Sequence, residues 1–270
     1  MQQHTSTSDR PLAVVTGASA GIGFELAKQF AQNGYGLVVV AEDAGIETAA
    51  RELEALGTDV RAVRADLATF EGVEQAWQAV VADGRPVDAI AINAGVGIGG
   101  DFTETDLDAE LNLVDLNVKS TVHLAKRVVP AMKSRGAGKI LFTSSIAAMM
   151  PDPFEAVYGG SKAFVFSFSE ALRNELKDSG VTVTALQPGP TETEFFDRAG
   201  MTGNTQVGTS KKDDPALVAK QGFEALMAGK DHVVAGSLKT RVQAAVISKL
   251  PEGAKSEAHR AMAEPGSGKK

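Results

Sequence analysis

Short apolar runs alternate with longer amphipathic stretches along most of the chain. The apolar runs have the length and β-branched content of buried strands, and the stretches between them carry apolar residues at helical spacing. Strands are predicted for the segments PLAVVT, YGLVVVAE, DVRAVRADL, VDAIAINAG, GKILFTSS and VTVTALQPG. Helices are predicted over about residues 21–34, 45–57, 73–82, 106–134 and 155–178. Because strands separated by such helices form right-handed βαβ units, the pattern predicts an α/β fold with a doubly wound parallel sheet and helices on both faces.

The same pattern divides the chain into one domain and two flanking segments. Residues 11–236 carry the alternation, with a seventh strand in KDHVVAGSLK, and show no internal repeat or linker. Residues 1–10 are polar and are predicted to be disordered. Residues 237–270 are predicted to form a partly helical C-terminal extension, with an amphipathic helix at KTRVQAAVISKL and a frayed end at AEPGSGKK. Within the domain, residues 189–214 are rich in Thr, Gly and Pro, which is typical of a functional or mobile segment.

Composition argues against several classes of function. The chain has 270 residues, a net charge of −7 and a pI near 5.2, which disfavours a nucleic-acid partner because phosphate binding needs a basic face. It has no cysteine, so disulfides and thiolate metal sites are excluded, and its 4 histidines lack metal-ligand spacing, so no metal is expected. The sequence shows neither the apolar core of a secretory signal nor a run approaching the ~20 apolar residues of a membrane span, so a cytoplasmic protein is expected.

The first predicted strand runs directly into TGASAGIG, residues 16–23. Glycines at such a junction allow a tight turn and let the backbone approach a pyrophosphate, while the following helix offers free N–H groups to the anion. A glycine-spaced triplet alone is also typical of a plain turn, but the strand before it and the helix after it favour dinucleotide binding. The candidate cofactor-binding residues here are Gly17, Ser19, Ala20, Gly21, Ile22 and Gly23.

The end of the second strand, VVVAED, bears on which dinucleotide is bound. Glu42 lies about 20 residues past the glycine loop, where an acidic residue bonds the adenosine ribose hydroxyls and repels a 2′-phosphate. No basic residue occupies the adjacent loop positions, and Ala20 stands where a basic residue would serve NADP. We therefore expect NAD as the cofactor, with NADP as the alternative. A second interpretation is that Glu42 is solvated and Asp43 merely caps the next helix.

A second constellation lies in YGGSK, residues 158–162. Tyr158 and Lys162 are four positions apart and share one face of the helix that follows the fifth strand. That strand ends in TSS, residues 143–145, at the sheet edge where functional sites of open parallel sheets lie. The two glycines between the tyrosine and the lysine cost about 1 kcal/mol each against alanine in a helix interior. We expect them to leave room for a cofactor.

These motifs, taken in order along the chain, resemble the short-chain dehydrogenase/reductase family over residues 11–236. The resemblance rests on the glycine loop, INAG at residues 92–95, Asn117 in LNV, Ser145, YGGSK, and PGPTET after the sixth strand. It implies a single-domain Rossmann-type fold with about seven strands. It also implies an NAD(P)-dependent oxidoreductase that interconverts a secondary alcohol and its ketone. The implied catalytic residues are Asn117, Ser145, Tyr158 and Lys162.

The resemblance implies a role for each of these residues. Tyr158 is the general acid/base, and the positive charges of Lys162 and the oxidised nicotinamide stabilise its phenolate. Lys162 also bonds the nicotinamide ribose. Ser145 holds the substrate oxygen and is preferred to Ser144 by its offset from Tyr158. Asn117 anchors a water that relays protons to Lys162.

Further cofactor contacts are implied after the third, fourth and sixth strands. They are Asp66, Leu67, Asn93, Ala94, Gly95, Pro188, Gly189, Thr191 and Thr193, besides Tyr158 and Lys162. Taken alone, INAG is also typical of a tight packing turn.

The loops after the fifth and sixth strands are expected to line the substrate pocket. The candidates are Ile146, Met150, Phe154, Pro190, Phe195 and Phe196. Their apolar character favours a hydrophobic secondary alcohol or ketone, although several of them could instead pack a lid or a subunit contact. An NADPH-dependent carbonyl or ketoacyl reductase is the close alternative. A non-catalytic dinucleotide-sensing protein is disfavoured because the Ser–Tyr–Lys set is intact. A homo-oligomer, dimer or tetramer, is expected, and the C-terminal extension argues against the tetramer.

Overall fold

The computed structural model describes residues 10–269, so nearly all of the segment predicted to be disordered lies outside the described residues. Seven strands form one parallel sheet in the order β3-β2-β1-β4-β5-β6-β7. The strands are β1 Leu12–Thr16, β2 Gly36–Ala41, β3 Val60–Arg64, β4 Val87–Ile92, β5 Gly138–Thr143, β6 Val181–Pro188 and β7 His232–Ala235. The strands predicted from the apolar runs and the parallel, doubly wound arrangement are confirmed.

The sheet order brings the carboxyl ends of β1 and β4 side by side. The chain builds β1, β2 and β3 outward in one direction and then crosses back to β4, which pairs with the other side of β1. Such a reversal opens a crevice at the carboxyl ends of the two strands, because their connections leave in opposite directions. Gly17, directly after β1, and Asn93, directly after β4, both border this crevice.

Helices cover both faces of the sheet. They are α1 Gly21–Gln32, α2 Gly45–Glu54, α3 Phe70–Val81, α4 Leu107–Val114, α5 Ser120–Arg135, α6 Ala156–Glu175, α7 Phe195–Arg198, α8 Gln206–Thr209, α9 Pro215–Met227, α10 Leu238–Ile247 and α11 Glu252–Ala263. α3, α5 and α6 bury their apolar residues against one face, and α1, α2 and α9 bury theirs against the other. Removal of this apolar area from water stabilises the layered fold. Among the helices of the described residues, none is long and apolar enough to cross a membrane.

The long helix predicted over residues 106–134 contains a change in its hydrogen-bond pattern. α4 continues into a π-helical turn, Asp115–Lys119, which continues into α5. A π turn adds a residue to the helix, and such turns are frequent at functional sites. The apolar pattern does not reveal the turn, because apolar residues recur on both sides of it.

The second half of the chain holds more structure than the sequence predicted. α7 and α8 lie within the segment 189–214, and α9 begins behind the capping side chain of Asp214. The frayed end predicted at AEPGSGKK is wrong for its described residues, since the N–H of Gly266 donates to the carbonyl of Asn204 over 2.8 Å. The partner of Gly266 lies 62 residues earlier in the chain, so no local pattern could show this contact.

Candidate active site

The glycine loop forms a closely packed cradle between β1 and α1. Gly17 and Gly21 adopt positive φ angles of 66° and 57°, which residues with a side chain rarely adopt. A Cβ on Gly23 would meet the carbonyl of Gly17 and the amide of Asn93, so only glycine fits there. No side chain among the described residues caps the first turn of α1 behind Ala20. The N–H groups of that turn are therefore available to an anion.

Hydrogen bonds fasten the ends of β1, β4 and β5 to one another. Thr16 Oγ1 accepts from the N–H groups of Asn93 and Ala94 over 2.9 and 3.0 Å. The Asn93 side chain donates to the carbonyl of Thr16 over 3.1 Å and accepts from Thr143 Oγ1 over 2.9 Å. The Asn93 amide thus joins the ends of three strands, and the role of INAG in cofactor binding stays a prediction. Sequence reasoning missed Thr16, whose hydroxyl has no evident partner until β4 is placed beside β1.

Two carboxylates and one guanidinium lie where β2 and β3 end. Glu42 is exposed, and its backbone carbonyl accepts from Arg64 Nε over 2.9 Å. Asp43 accepts from Ser19 Oγ over 2.7 Å and from the N–H of Gly45 over 2.9 Å, so it ties the glycine loop to the start of α2. The loop that follows Glu42 has no basic residue next to it in the sequence. The structure supplies Arg64 from the neighbouring strand instead.

Ser145, Tyr158 and Lys162 line one cavity. The Ser145 hydroxyl faces the Tyr158 phenol closely enough to lower its pKa. Lys162 is buried, lies with its Nζ 5.8 Å from the centre of the Tyr158 ring, and donates to the carbonyl of Thr143 over 3.0 Å. Ser144 instead donates to the carbonyl of Lys162 over 2.8 Å. Of the two adjacent serines, Ser145 is therefore the one that meets the phenol, as the family spacing implied.

The protein's own groups make Tyr158 a weaker acid than free tyrosine. Burial raises the pKa of the Tyr158 phenol, and the nearby Ser145 hydroxyl lowers it only in part. The carboxylates of Glu155 and Asp152 raise the pKa of the phenol further. Burial also lowers the pKa of Lys162 to about 8, because the ammonium loses its hydration. The sequence predicts that Lys162 lowers the pKa of the Tyr158 phenol. Burial and the carboxylates of Glu155 and Asp152 act in the opposite direction.

Asn117, in the π turn, is buried and clamps the loop after β4. Its Oδ1 accepts from the N–H of Val96 over 3.0 Å, and its Nδ2 donates to the carbonyl of Val96 over 2.9 Å. Nδ2 also donates to Ser161 Oγ over 3.0 Å. The amide thereby holds the loop that carries Gly95 against α6. The water-anchoring role implied by the resemblance stays a prediction, since these protein groups engage the side chain of Asn117.

The two glycines between Tyr158 and Lys162 have different surroundings. A Cβ on Gly159 would collide with the carboxylate of Asp152, which packs directly against the first turn of α6. A Cβ on Gly160 would meet nothing within 4 Å. The observed neighbour of Gly159 is thus a protein carboxylate rather than space for a cofactor. The geometry gives no reason for Gly160.

One cavity of about 350 Å³ extends from the glycine loop to the catalytic residues and brings most of the predicted site together. The predicted residues that line it are Gly17, Ser19, Ala20, Gly21, Ile22, Gly23, Glu42, Leu67, Asn93, Ala94, Gly95, Ser145, Ile146, Met150, Tyr158, Lys162, Pro188, Gly189, Pro190, Thr191, Thr193, Phe195 and Phe196. Three predicted residues do not line it: Asp66, Asn117 and Phe154.

Asp66 and Phe154 make other contacts. Asp66 is exposed and its Oδ1 accepts from the N–H of Ala68 over 2.9 Å, which shapes the turn after β3. Phe154 has a φ of 67° and lies with its ring 5.1 Å from the guanidinium of Arg260. It packs against the small apolar cluster that α7 forms with α11. Phe154 therefore packs beside the pocket and does not line it.

The C-terminal extension supplies one wall of the cavity. Gln243 and Ile247 of α10, and His259 and Met262 of α11, line it together with Tyr158. Nothing in the local sequence of these helices points to a site. The only available signal was that the chain continues past β7.

The comparisons with known proteins agree with this fold and with the family that the motifs resemble. The family model described as short chain dehydrogenase matches residues 11–202. The chain therefore belongs to the short-chain dehydrogenase/reductase family of oxidoreductases. Among its relatives, retinol dehydrogenase 8 from Bos taurus is 36% identical over 196 residues, which are 70% of this chain and 62% of that protein.

Solved structures of related enzymes share this fold over most of the chain. A short-chain dehydrogenase from Sphingobium yanoikuyae in complex with NADPH is 27% identical and has a TM-score of 0.78 over 89% of this chain and 96% of that one. The 3-ketoacyl-(acyl-carrier-protein) reductase from Brucella melitensis, complexed with NADH, is 27% identical and has a TM-score of 0.73 over 85% of this chain and 98% of that one. These two enzymes hold different dinucleotides, so the likeness alone does not choose between NAD and NADP.

Proposed function

We propose that this oxidoreductase interconverts a hydrophobic secondary alcohol and its ketone with NAD(H) as its cofactor. The observation that carries the proposal is the meeting of Ser145, Tyr158 and Lys162 in the cavity that begins at the glycine loop. A hydroxyl next to a phenol, beside a buried ammonium, can hold a substrate oxygen and transfer a proton to it. Interconversion of an alcohol and a ketone needs both of these actions.

The residues of the cavity fit a nicotinamide dinucleotide. The glycine cradle and the uncapped first turn of α1 suit its pyrophosphate. Gly95 keeps the cavity open next to the catalytic residues, because a Cβ there would lie 3.1 Å from Lys162 Nζ. When bound, the nicotinamide ring would accept or donate the hydride. Leu67 would contact the adenine, and Lys162 would bond the ribose beside the nicotinamide.

Tyr158 moves the proton in the proposed reaction. In ketone reduction it gives its hydroxyl proton to the substrate oxygen, and in alcohol oxidation it takes the proton back. Ser145, next to the phenol, holds the same substrate oxygen in place. Because burial raises the pKa of the phenol, Tyr158 is protonated at neutral pH and can act as the proton donor in ketone reduction.

The test replaces the proposed acid/base and uses the second tyrosine of the chain as a matched control. Tyr158→Phe should lower kcat by about 10²–10⁴-fold, because the proton donor is lost, while NADH still binds. Tyr35 donates to Met227 Sδ over 3.7 Å and does not line the cavity, so Tyr35→Phe should leave kcat unchanged. A panel of ketones and secondary alcohols, followed by absorbance of the reduced cofactor, measures turnover.

Two outcomes of that test would count against the proposal. Wild-type rates in Tyr158→Phe would remove Tyr158 from the mechanism. Binding of NADH by the wild-type protein without turnover of any ketone or alcohol would favour a dinucleotide-sensing protein instead.

We propose NAD rather than NADP because Glu42 and Asp43 stand together on the cavity wall. A 2′-phosphate placed there would meet two negative charges, whereas ribose hydroxyls could donate to them. Arg64, whose guanidinium bonds the Glu42 carbonyl, is the one feature that could favour NADP.

Replacing the first carboxylate tests this preference. Glu42→Ala should shift the ratio of kcat/KM for NADH over NADPH towards NADPH by about tenfold or more, because a ribose partner and a repulsive charge are both lost. Glu47→Ala, which removes an exposed carboxylate of α2, is the control and should not change the ratio. NADPH preferred by the wild type, with no change in Glu42→Ala, would contradict the assignment of NAD.

The substrate side of the cavity supports a hydrophobic substrate. Its apolar lining comes from Ile146, Met150, Phe195, Phe196, Val207, Ile247 and Met262. Retinol dehydrogenase and ketoacyl reductase are the names of two of the related enzymes, and both names describe substrates with long apolar parts. Medium-chain and long-chain ketones are therefore the first compounds for the panel.

A further inference from the structure

Three titratable side chains form a buried cluster where α11 meets the segment before α6. His259 Nδ1 lies 3.3 Å from Asp152 Oδ1, and His259 Nε2 lies 3.3 Å from Glu155 Oε2. The exposed fractions of the His259, Asp152 and Glu155 side chains are 12%, 0% and 7%. Burial of three ionisable groups is costly unless they compensate one another. The proposed proton transfer uses none of them.

This cluster holds the first turn of the helix that carries Tyr158. Asp152 packs so closely against α6 that only glycine fits at Gly159. Glu155 directly precedes α6, and its carbonyl accepts from the N–H of Gly159 over 2.8 Å. His259 and Glu155 also line the cavity together with Tyr158. The position of the phenol thus depends on a contact that the C-terminal helix makes.

A second contact fastens the same C-terminal segment to the loop after β6. The N–H of Gly266 donates to the carbonyl of Asn204 over 2.8 Å, and Ser267 Oγ accepts from the N–H of Gln206 over 2.9 Å. Residues 252–269, which we call the C-terminal strap, therefore join the two loops that border the substrate side of the cavity.

We propose that His259 is a positioning residue: in its protonated form it clasps two carboxyl groups, closes the C-terminal strap over the substrate side of the cavity, and holds Tyr158 in place. The carboxyl groups are those of Asp152 and Glu155. The effect on catalysis rests on the proposed function, whereas the closure of the strap does not.

The charges of the cluster explain why the clasp needs its proton. Burial lowers the pKa of His259, but the close contact with Glu155 and the charge of Asp152 raise it more, so it lies above its ordinary value. Burial raises the pKa of Asp152 to about 7, and Glu155 adds to this effect while His259 opposes it. As the pH rises above about 6, Asp152 and His259 both lose their protons, and the cluster becomes more negative by two charges.

Nearby charged groups already have partners within the described part of the chain. Arg260 lies over the Phe154 ring, and Lys255 pairs with Glu252 at 2.7 Å. On the facing loop, Arg198 pairs with Glu194 at 2.7 Å, and from α6 the titratable group is the Tyr158 phenol. His259 is thus the cation that contacts both carboxylates. Loss of its proton should loosen the strap and raise the pKa of the phenol at the same time.

Hydrogen exchange of the full-length protein tests the clasp without any need for turnover. In the wild type, protection of the amides of residues 252–269, corrected for the intrinsic exchange rate, should fall between about pH 6 and about pH 9. His259→Gln should lower this protection about tenfold or more at pH 6, because the positive charge is lost. His232→Gln is the matched control: His232 also pairs with an aspartate at 3.3 Å but is exposed, and strap protection should not change.

A second variant keeps the test decisive if His259→Gln folds poorly. Asp152→Asn combined with His259→Gln removes both groups that lose a proton in this range and leaves the carboxyl group of Glu155. Its strap protection should exceed that of His259→Gln and should not vary with pH between about 6 and 9. Wild-type protection that is flat over this range, or equal protection in wild type and His259→Gln, would overturn the proposal.

Kinetics then test the link to Tyr158. The pH profile of kcat should shift upward by about half a unit or more in His259→Gln, because uncompensated carboxylates disfavour the phenolate. The double variant should return toward the wild-type profile. If the wild type turns over no substrate, the proposed function fails while the exchange experiment still decides the clasp. A normal profile in His259→Gln with a loosened strap would overturn the positioning of Tyr158.

Discussion

Ser144 and Ser145 show how the surroundings of a residue decide its role. The two hydroxyls are neighbours in TSS, yet Ser144 donates to the carbonyl of Lys162 and Ser145 faces the Tyr158 phenol. Both residues line the cavity, but successive residues of an extended segment point to opposite sides, so the two hydroxyls meet different groups. The family spacing favours Ser145 from the sequence, whereas the contacts that separate the two serines depend on the position of α6.

Gly159 and Gly160 should respond in opposite ways to replacement by alanine. Gly159→Ala should lower the free energy of unfolding by about 1–3 kcal/mol, because its Cβ would displace a buried carboxylate. Gly160→Ala should raise it by about 0.5–1 kcal/mol, because alanine is the better helix former and its Cβ would meet nothing within 4 Å. Urea unfolding of the two variants measures both effects. Equal changes in the two would refute the role given to Asp152.

The helical run from α4 to α5 contains a π turn that the apolar pattern does not predict. Its π turn carries Asn117, whose amide satisfies both backbone groups of Val96 and so places the loop after β4 beside the catalytic helix. The apolar pattern predicts the helical run, because burial of one face repeats every turn. The π turn is a departure of a few residues from that period, and its partner is a loop in another part of the chain.

Removal of this clamp should destabilise the fold. Asn117→Ala leaves the N–H and the carbonyl of Val96 without their partners, which should cost about 2–4 kcal/mol of unfolding free energy. Asn112→Ala, at an exposed position of α4, is the control and should have little effect. Chemical denaturation monitored by circular dichroism measures the difference. A loss of turnover in Asn117→Ala with unchanged stability would instead favour the water-relay role implied by the family.

In the whole molecule, the sheet is typical of the family, whereas one wall of the cavity comes from the C-terminal segment. The strap, α7 and α8 enclose the substrate side of the cavity, so the shape of the pocket depends on contacts between segments far apart in sequence. The oligomer predicted from the sequence stays a prediction. Exposed Leu107 and Leu111 of α4 and Phe164 of α6 would suit the predicted dimer through the long helices.

Two buried groups should make the stability of the whole molecule depend on pH in opposite senses. Because the pKa of Asp152 is raised to about 7, its protonated form is favoured in the folded state, and stability is lost as pH rises towards and through about 7. The pKa of Lys162 is lowered to about 8, so its neutral form is favoured, and stability is gained as pH rises from about 8 to about 10.

Asp152→Asn separates the first of these contributions. Relative to the wild type, this variant should become more stable by about 2–3 kcal/mol on going from pH 5 to pH 8, because the asparagine has no proton to lose. The exposed Asp178→Asn is the control and should show no such change. Urea unfolding at the two pH values measures the gap. A gap that stays constant would show that Asp152 does not titrate as its burial requires.

The βαβ alternation, the parallel sheet, the glycine loop and the Tyr–Lys pair can be predicted from the order of the residues alone. This is possible because apolar periodicity, helix spacing and glycine turns depend on residues a few positions apart. Folding in three dimensions is needed to bring Arg64 to Glu42, Asp152 against Gly159, and His259 to Asp152. Each of these contacts joins segments that the chain keeps apart, and their charges act only once burial has removed the water that would screen them.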